Sequence, residues 1–204
     1  MKVLVACEES QEVTAAFIAL GHDAMSCDLQ PGAKGLPHYQ GDVLDIINDG
    51  WDLMIAHPPC TYLSYAANHV WNKPGRAELR EEAMRFFMAC ANAPIKKIAI
   101  ENPVGYPNTV YRKPDQIIQP YFFGDEALKT TCLWLKGLPK LWYWKHDDLF
   151  GKRTATEYPK AVYATARKDG TVKLRHWTEA GHGGYARSKT FPGIARAMAE
   201  QWGM

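Results

Sequence analysis

Short apolar runs alternate along this chain with longer amphipathic stretches, and the alternation predicts strands and helices in turn. Residues 2–7 (KVLVAC) form an apolar run free of turn residues and read as a buried strand. Val13, Ala16, Phe17 and Leu20 then recur at helical spacing, and Gly21 stands where a C-terminal cap belongs. Asp23–Asp28 (DAMSCD) reads as a second strand, and residues 51–57 (WDLMIAH) as a third that runs straight into Pro58-Pro59-Cys60. Residues 76–93 are helical by period, with Leu79, Ala83, Phe86, Phe87 and Cys90 on the apolar side. Residues 97–101 (KIAIE) and 130–135 (TTCLWL) are a fourth and a fifth strand. From about residue 144 to 189 the pattern dissolves into polar, basic and aromatic sequence, with weak strand alternation at 161–166 and 171–174. Pro192 then opens a closing helix that carries Ile194, Ala195, Met198 and Trp202 on one side.

Strands alternating with helices predict an α/β protein with a doubly wound, mostly parallel sheet and a small polar, basic appendage. In such sheets ligands gather at the carboxyl ends of the strands. Asp28, Cys60 and Glu101 all fall at or just past predicted strand ends, which makes that edge the expected site. At 204 residues the chain accommodates one well-buried domain. The expected organisation is a core over 1–144, a substrate-recognition segment over 145–184, and a loop and helix over 185–204 that complete the core.

Composition narrows the function class. Apolar residues at 47% and charged residues at 23% are globular values. The apolar start breaks at Glu8-Glu9, too short for a signal peptide or a membrane span, so a cytoplasmic protein with no membrane partner is expected. Five cysteines lie scattered without metal-ligand spacing, which predicts free thiols and no metal. The net charge of +2 hides an asymmetry: residues 145–190 hold ten Lys and Arg against five Asp and Glu. A basic segment beside a near-neutral core suits a polyanion such as nucleic acid.

Two motifs carry chemistry. In HPPCTYLS (57–64), two prolines stiffen the backbone ahead of Cys60 and fix the direction of its thiol. Glu101-Asn102-Pro103 ends the following strand, and adjacent parallel strands bring Glu101 near Cys60. A thiolate beside a carboxyl suits attack on C6 of a pyrimidine, where an acid at N3 neutralises the charge that develops. The adduct makes C5 nucleophilic enough to take a methyl group from a sulfonium donor. Glu101 must then be protonated or share a proton with N3, and burial is expected to raise its pKa.

In this order and about forty residues apart, Pro59-Cys60 and Glu101-Asn102 resemble the cytosine-5 DNA methyltransferases, with Pro103 in place of that family's valine. The resemblance spans most of residues 1–140 and 185–202. It implies a fold of the S-adenosylmethionine-dependent methyltransferase type, which is Rossmann-like, with that cofactor bound and with DNA as partner. Cys60 becomes the nucleophile and Glu101 the acid, with Pro59 and Asn102 completing the catalytic motifs. KVLVACEESQEVTAAFIALGHDAMSCD occupies the place of the cofactor-binding strand, loop, helix and strand, which puts Cys7, Glu8 and Ser10 in the cofactor loop. By the same resemblance Asp28 holds the ribose hydroxyls, Asp42 meets the adenine amino group and Pro58 borders the cofactor. RSKTFPGIARAMAEQW looks like the family's final motif, a loop and a helix packing beside the first helix.

Departures from the family pattern shape the remaining expectations. Its first loop is rich in glycine, whereas residues 7–11 contain none. Its strand with two supporting arginines is replaced by Lys129-Thr130-Thr131, and its recognition domain by about forty residues. Substrate contacts are expected from Ser64, Lys129, Arg187 and Lys189, with the basic loop around 182–185 on phosphates. Trp142, Trp144 and Trp177 are candidates for base stacking. His57 and Ser64 read more readily as structural residues than as reactive ones. Two alternatives stand beside DNA methylation: the same chemistry on a free pyrimidine nucleotide or single-stranded DNA, and an inactive binder of nucleic acid or nucleotide.

Overall fold

Val3 and Val5 face one side of a central sheet, Leu4 and Ala6 the other, and all four are fully buried. The computed structural model describes residues 1–66, 72–143, 158–160, 163–175 and 189–204. β1 (Lys2–Ala6) pairs in parallel with β2 (Asp23–Asp28) and with β4 (Leu53–Ala56). β3 (His38–Gln40) joins β2, and β5 (Lys97–Asn102) joins β4, again in parallel. β7 (Thr131–Lys136) pairs antiparallel with both β5 and β6 (Gln116–Ile118), so it alone runs against the other six strands. The order is β3-β2-β1-β4-β5-β7-β6. This is a mostly parallel, Rossmann-like α/β sheet.

Helices cover both faces, and the one-residue alternation of each strand supplies both. On the Val3 and Val5 side lie α1 (Glu12–Ala19) and α4 (Pro192–Trp202), with Phe17, Ile194, Met198 and Trp202 in one cluster with the sheet. On the other side α2 (Arg76–Ala91) sets Phe87 edge-on to Trp134 of β7, ring centroids 5.3 Å apart. α3 (Pro107–Val110) is a single turn after β5. β8 (Tyr163–Ala166) and β9 (Val172–Arg175) form a separate antiparallel hairpin whose tip exposes Arg167 and Lys168.

The structure departs from the sequence reading at definite places. β3 and β6 were not expected, because three residues are too few to display an alternation. The reversal of β7 has no signature in its apolar run. Helix α2 buries Phe87 and Cys90 with Ala83 and Phe86 packed half-buried beside them, as expected, but its inner face also takes in Met84 and Arg80, while Leu79 is 39% exposed. A buried arginine breaks the apolar pattern, and Arg80 tolerates its position by donating from Nε to the Tyr62 carbonyl and lying over the Tyr106 ring. Leu20 is 50% exposed and caps α1, followed by Gly21 at a left-handed φ of 81°, as the cap pattern predicts. The expected segment boundaries near 144 and 184 lie outside the described residues. Among the described residues no helix is long and apolar enough to cross a membrane, and no group of His, Cys, Asp or Glu is placed to hold a metal ion.

Between β1 and β4 the chain's winding reverses, and the loop that leaves β1 there is unusual. Cys7 and Gln11 have φ of 59° and 56°, the only non-glycine residues in the left-handed region among those described. Such a conformation costs each on the order of 1–3 kcal/mol. Two buried side chains hold the loop against that cost. Gln11 Nε2 donates to Ser26 Oγ and to the Leu36 carbonyl, while its Oε1 accepts from Lys34 N. Glu8 Oε1 accepts from Val13 N at 2.6 Å, and its Oε2 accepts from Thr14 N and Thr14 Oγ1, satisfying the first turn of α1. Glu8→Ala is expected to lower stability by about 1–3 kcal/mol, since those donors lose a charged acceptor; urea denaturation measures it.

Candidate active site

Parallel pairing of β4 with β5 places Ala56 opposite Ile100, so the residues after Ala56 lie beside those after Ile100. Cys60 stands four residues beyond β4, on a turn in which its carbonyl accepts from Leu63 N and Ser64 N. Glu101 and Asn102 are the last residues of β5 and both are buried. Asn102 Nδ2 donates to the buried Pro58 carbonyl at 2.7 Å, tying the Pro58-Pro59-Cys60 segment to the strand next to it. A second tie lies a few residues further on. Tyr106 N donates to Leu63 O at 2.7 Å and Tyr65 N to Val104 O, a short bridge between the two loops. That approach requires Gly105: a Cβ there would sit 2.1 Å from the Leu63 carbonyl oxygen.

Glu101 is the electrostatic centre. His57, one residue past β4, places Nδ1 2.8 Å from Glu101 Oε2, and since a carboxylate only accepts, the imidazole N–H donates. Thr190 Oγ1 donates to the same oxygen at 3.4 Å, and Lys129 Nζ lies 3.7 Å from Oε1. Lys129 also donates to the Lys189 carbonyl, which brings the segment before α4 onto the site. Burial pushes the Glu101 carboxyl up, but Lys129, His57 and Thr190 together outweigh it and hold it down at about 2. This corrects the expectation of a raised pKa. The acid is an ionised carboxylate at rest, because its cationic and hydrogen-bonding partners come from distant parts of the chain.

Cys60 is exposed, yet the protein around it still pushes its thiol up by desolvation; Lys129 opposes that shift and Glu101 reinforces it. The thiol is therefore neutral at pH 7 in the resting site. Half-buried Cys7 and buried Cys27 and Cys90 are pushed up as well, by desolvation above all.

The remaining expected residues scatter in role. Asp28 ends β2 half-buried, its Oδ1 accepting from Gln30 N. Asp42 is exposed and caps the turn Val43–Asp45 through Leu44 N. Ser10 is buried in the β1 loop, and Glu8 commits both carboxylate oxygens to α1. Ser64 Oγ accepts from Ala66 N, a contact internal to the loop. Trp142 is 70% exposed. Arg187, Trp144, Trp177 and residues 182–185 lie outside the described residues. Sequence reasoning missed Thr190 and Gly105 and read His57 as structural. A histidine directly after a central strand was the available signal for the last.

The depressed carboxyl has a measurable sign. Ionised Glu101 stabilises the fold above its ordinary value of 4.5, and that contribution disappears as pH falls from there towards 2. The stability gap between wild type and Glu101→Gln, on the order of 3 kcal/mol at pH 7, is expected to narrow steadily below pH 4.5. Urea titrations at stepped pH read it. Gly105→Ala is expected to cost about 1–3 kcal/mol and to change the alkylation rate of Cys60, since a methyl group forces the two loops apart. No family model matches the chain and no curated protein matches it, so the chemistry of the site rests on the residues themselves.

Proposed function

We propose that this protein is an S-adenosylmethionine-dependent methyltransferase acting on carbon 5 of cytosine in DNA, with Cys60 as nucleophile and Glu101 as the acid facing N3. The observation that carries the reading is the convergence of an exposed thiol and a buried carboxylate on neighbouring strand ends, held by Asn102 and flanked by Lys129. Cys60 adds to C6, and Lys129 lowers the cost of forming its thiolate. Glu101 answers the charge that develops at N3. Asn102 ties the Pro58-Pro59-Cys60 segment to the strand that carries Glu101.

The crevice between β1 and β4 suits a cofactor without phosphate. In dinucleotide-binding folds the pyrophosphate sits on the N–H groups at the first helix's N-terminus. Here Glu8 occupies those of Val13 and Thr14, so they are not open to a ligand's phosphate. Asp28, about twenty residues past the first turn, is placed for ribose hydroxyls. Cys7 and Ser10 lie on the loop after β1 and Pro58 on the loop after β4, and Asp28 and Asp42 both act electrostatically on Cys7. Bound there, the cofactor supplies an electrophilic methyl group to C5.

Cys60→Ser is expected to abolish methyl transfer from labelled S-adenosylmethionine to DNA while leaving cofactor binding unchanged, because a serine hydroxyl lacks a dedicated base. DNA carrying 5-fluorocytosine is expected to trap a covalent adduct with the wild-type protein, seen as a mass increase on the peptide containing Cys60. Methylation at the wild-type rate by Cys60→Ser removes the mechanism. If the exposed tip of the β8–β9 hairpin grips a DNA backbone, Arg167→Ala with Lys168→Ala is expected to flatten the salt dependence of binding. The slope falls by roughly 0.9 for each phosphate that the variant no longer neutralises. A flat salt response in the wild type, with competition by deoxycytidine nucleotides, moves the substrate to the free nucleotide.

A further inference from the structure

Glu101 presents a chemical mismatch. The addition at C6 moves an electron pair through C4 onto N3, which then requires a proton, while the resting carboxylate holds none. Among the described residues, three groups with transferable hydrogens lie against Glu101: His57 at 2.8 Å, Thr190 at 3.4 Å and Lys129 at 3.7 Å. A threonine hydroxyl is far too weak an acid to serve. An ammonium, with an ordinary value about 10.4, gives up its proton reluctantly at neutral pH, and Lys129 is also hydrogen-bonded to the Lys189 carbonyl. Imidazole is the side chain whose ordinary proton affinity suits transfer near pH 7.

The setting of His57 fits that task. Its backbone N–H donates to the Ala6 carbonyl, continuing the β1–β4 ladder, so the ring is carried on the most rigid part of the sheet. Its two ring nitrogens have different surroundings. Nδ1 is joined to Glu101, while Nε2 is buried without a partner among the described residues. A buried polar nitrogen left in that state is costly unless a proton or a ligand group completes it. The charged groups around the ring alternate across four neighbouring strands: Glu8 after β1, His57 after β4, Glu101 on β5 and Lys129 before β7. Burial pushes the Glu8 carboxyl up, and the attraction of His57 draws it back down, so the histidine interacts with acids on both sides.

We propose that His57 is the positioning residue that relays a proton to Glu101 for delivery to N3 of the cytosine ring. The inference rests on the cytosine-methylation reading. With both ring nitrogens of His57 protonated, the thiol proton of Cys60 leaves to water as the sulfur bonds to C6, the proton on Nδ1 passes to Glu101, and Glu101 passes one to N3. After C5 has been methylated, its hydrogen leaves to water as a proton, the C6–S bond breaks with its electrons on sulfur, which takes a proton from water, and N3 returns its proton through Glu101 to His57 Nδ1. The relay thus ends as it began, with no net proton taken from His57.

The test compares wild type, His57→Asn and His57→Ala. Asparagine places an N–H near the position of Nδ1, so it keeps the hydrogen bond to Glu101 but relays no proton. With cytosine DNA and S-adenosylmethionine, His57→Asn is expected to lower kcat roughly 100-fold with little change in KM. Its pH–rate profile is expected to differ in shape from that of the wild type, and His57→Ala to do no better. A second readout is independent of turnover: the His57 imidazole resonances of nitrogen-labelled protein are expected to titrate at a different pH in Glu101→Gln. Wild-type rate and an unchanged pH profile in His57→Asn overturn the relay and leave the methyltransferase reading standing. So does a His57 titration unmoved by Glu101→Gln. A wild-type protein that methylates no cytosine substrate, with its His57 titration still coupled to Glu101, overturns the methyltransferase reading, and the relay to N3 falls with it.

Discussion

The hydrogen bond from Asn102 to the Pro58 carbonyl governs this site. β4 and β5 bring their ends side by side through parallel pairing, but that pairing stops at Ala56, and beyond His57 no ladder holds Pro58, Pro59 and Cys60. The Asn102 amide takes over where the ladder stops. Gly105 extends the tie by letting the backbones of the two loops touch, and Arg80 steadies the far side through the Tyr62 carbonyl. The thiol therefore keeps a fixed relation to Glu101 although its own residue is exposed. The result is a thiol open to solvent on a backbone held at three points.

A second constraint comes from α1. A helix start of this kind attracts anions, and the fold fills it from within by Glu8. The choice has two effects. It makes a glycine-free loop workable, since the left-handed backbone at Cys7 and Gln11 is anchored by buried side chains on either flank. It also places a buried acid near His57, on the opposite side from Glu101. The charges at the strand ends are thus mutually dependent, and the behaviour of each is set by neighbours on adjacent strands.

Much of this was legible in the sequence. The strands that became β1, β2, β4 and β5 are apolar enough to announce themselves, and the closing helix showed its buried side through Ile194, Met198 and Trp202. What escaped did so for physical reasons. Three-residue strands leave no periodic trace, and strand direction is decided by connection, so neither β3 and β6 nor the reversal of β7 was readable. Arg80 hid the full inner face of α2 because its burial depends on a carbonyl in another loop. The pKa shift of Glu101 was read with the wrong sign. Burial is visible in a sequence, whereas Lys129 and Thr190 reach the carboxylate only after folding. Cys60 and Glu101 were nevertheless identifiable, because proline pairs and strand-ending acids mark places where backbone regularity stops.

The Thr190 hydrogen bond also has a kinetic side. Glu101 and Thr190 are separated by 89 positions, and closing so long a loop carries an entropic cost that grows with the logarithm of its length. Interactions of this span slow folding relative to the local pairings within the sheet. A chain in which β1, β2, β4 and β5 have assembled but the segment before α4 has not docked therefore holds its thiol near a carboxylate that lacks one of its restraints. Building the sheet and completing the surroundings of Glu101 thus draw on different parts of the chain, and the second requires the docking of a distant stretch of backbone.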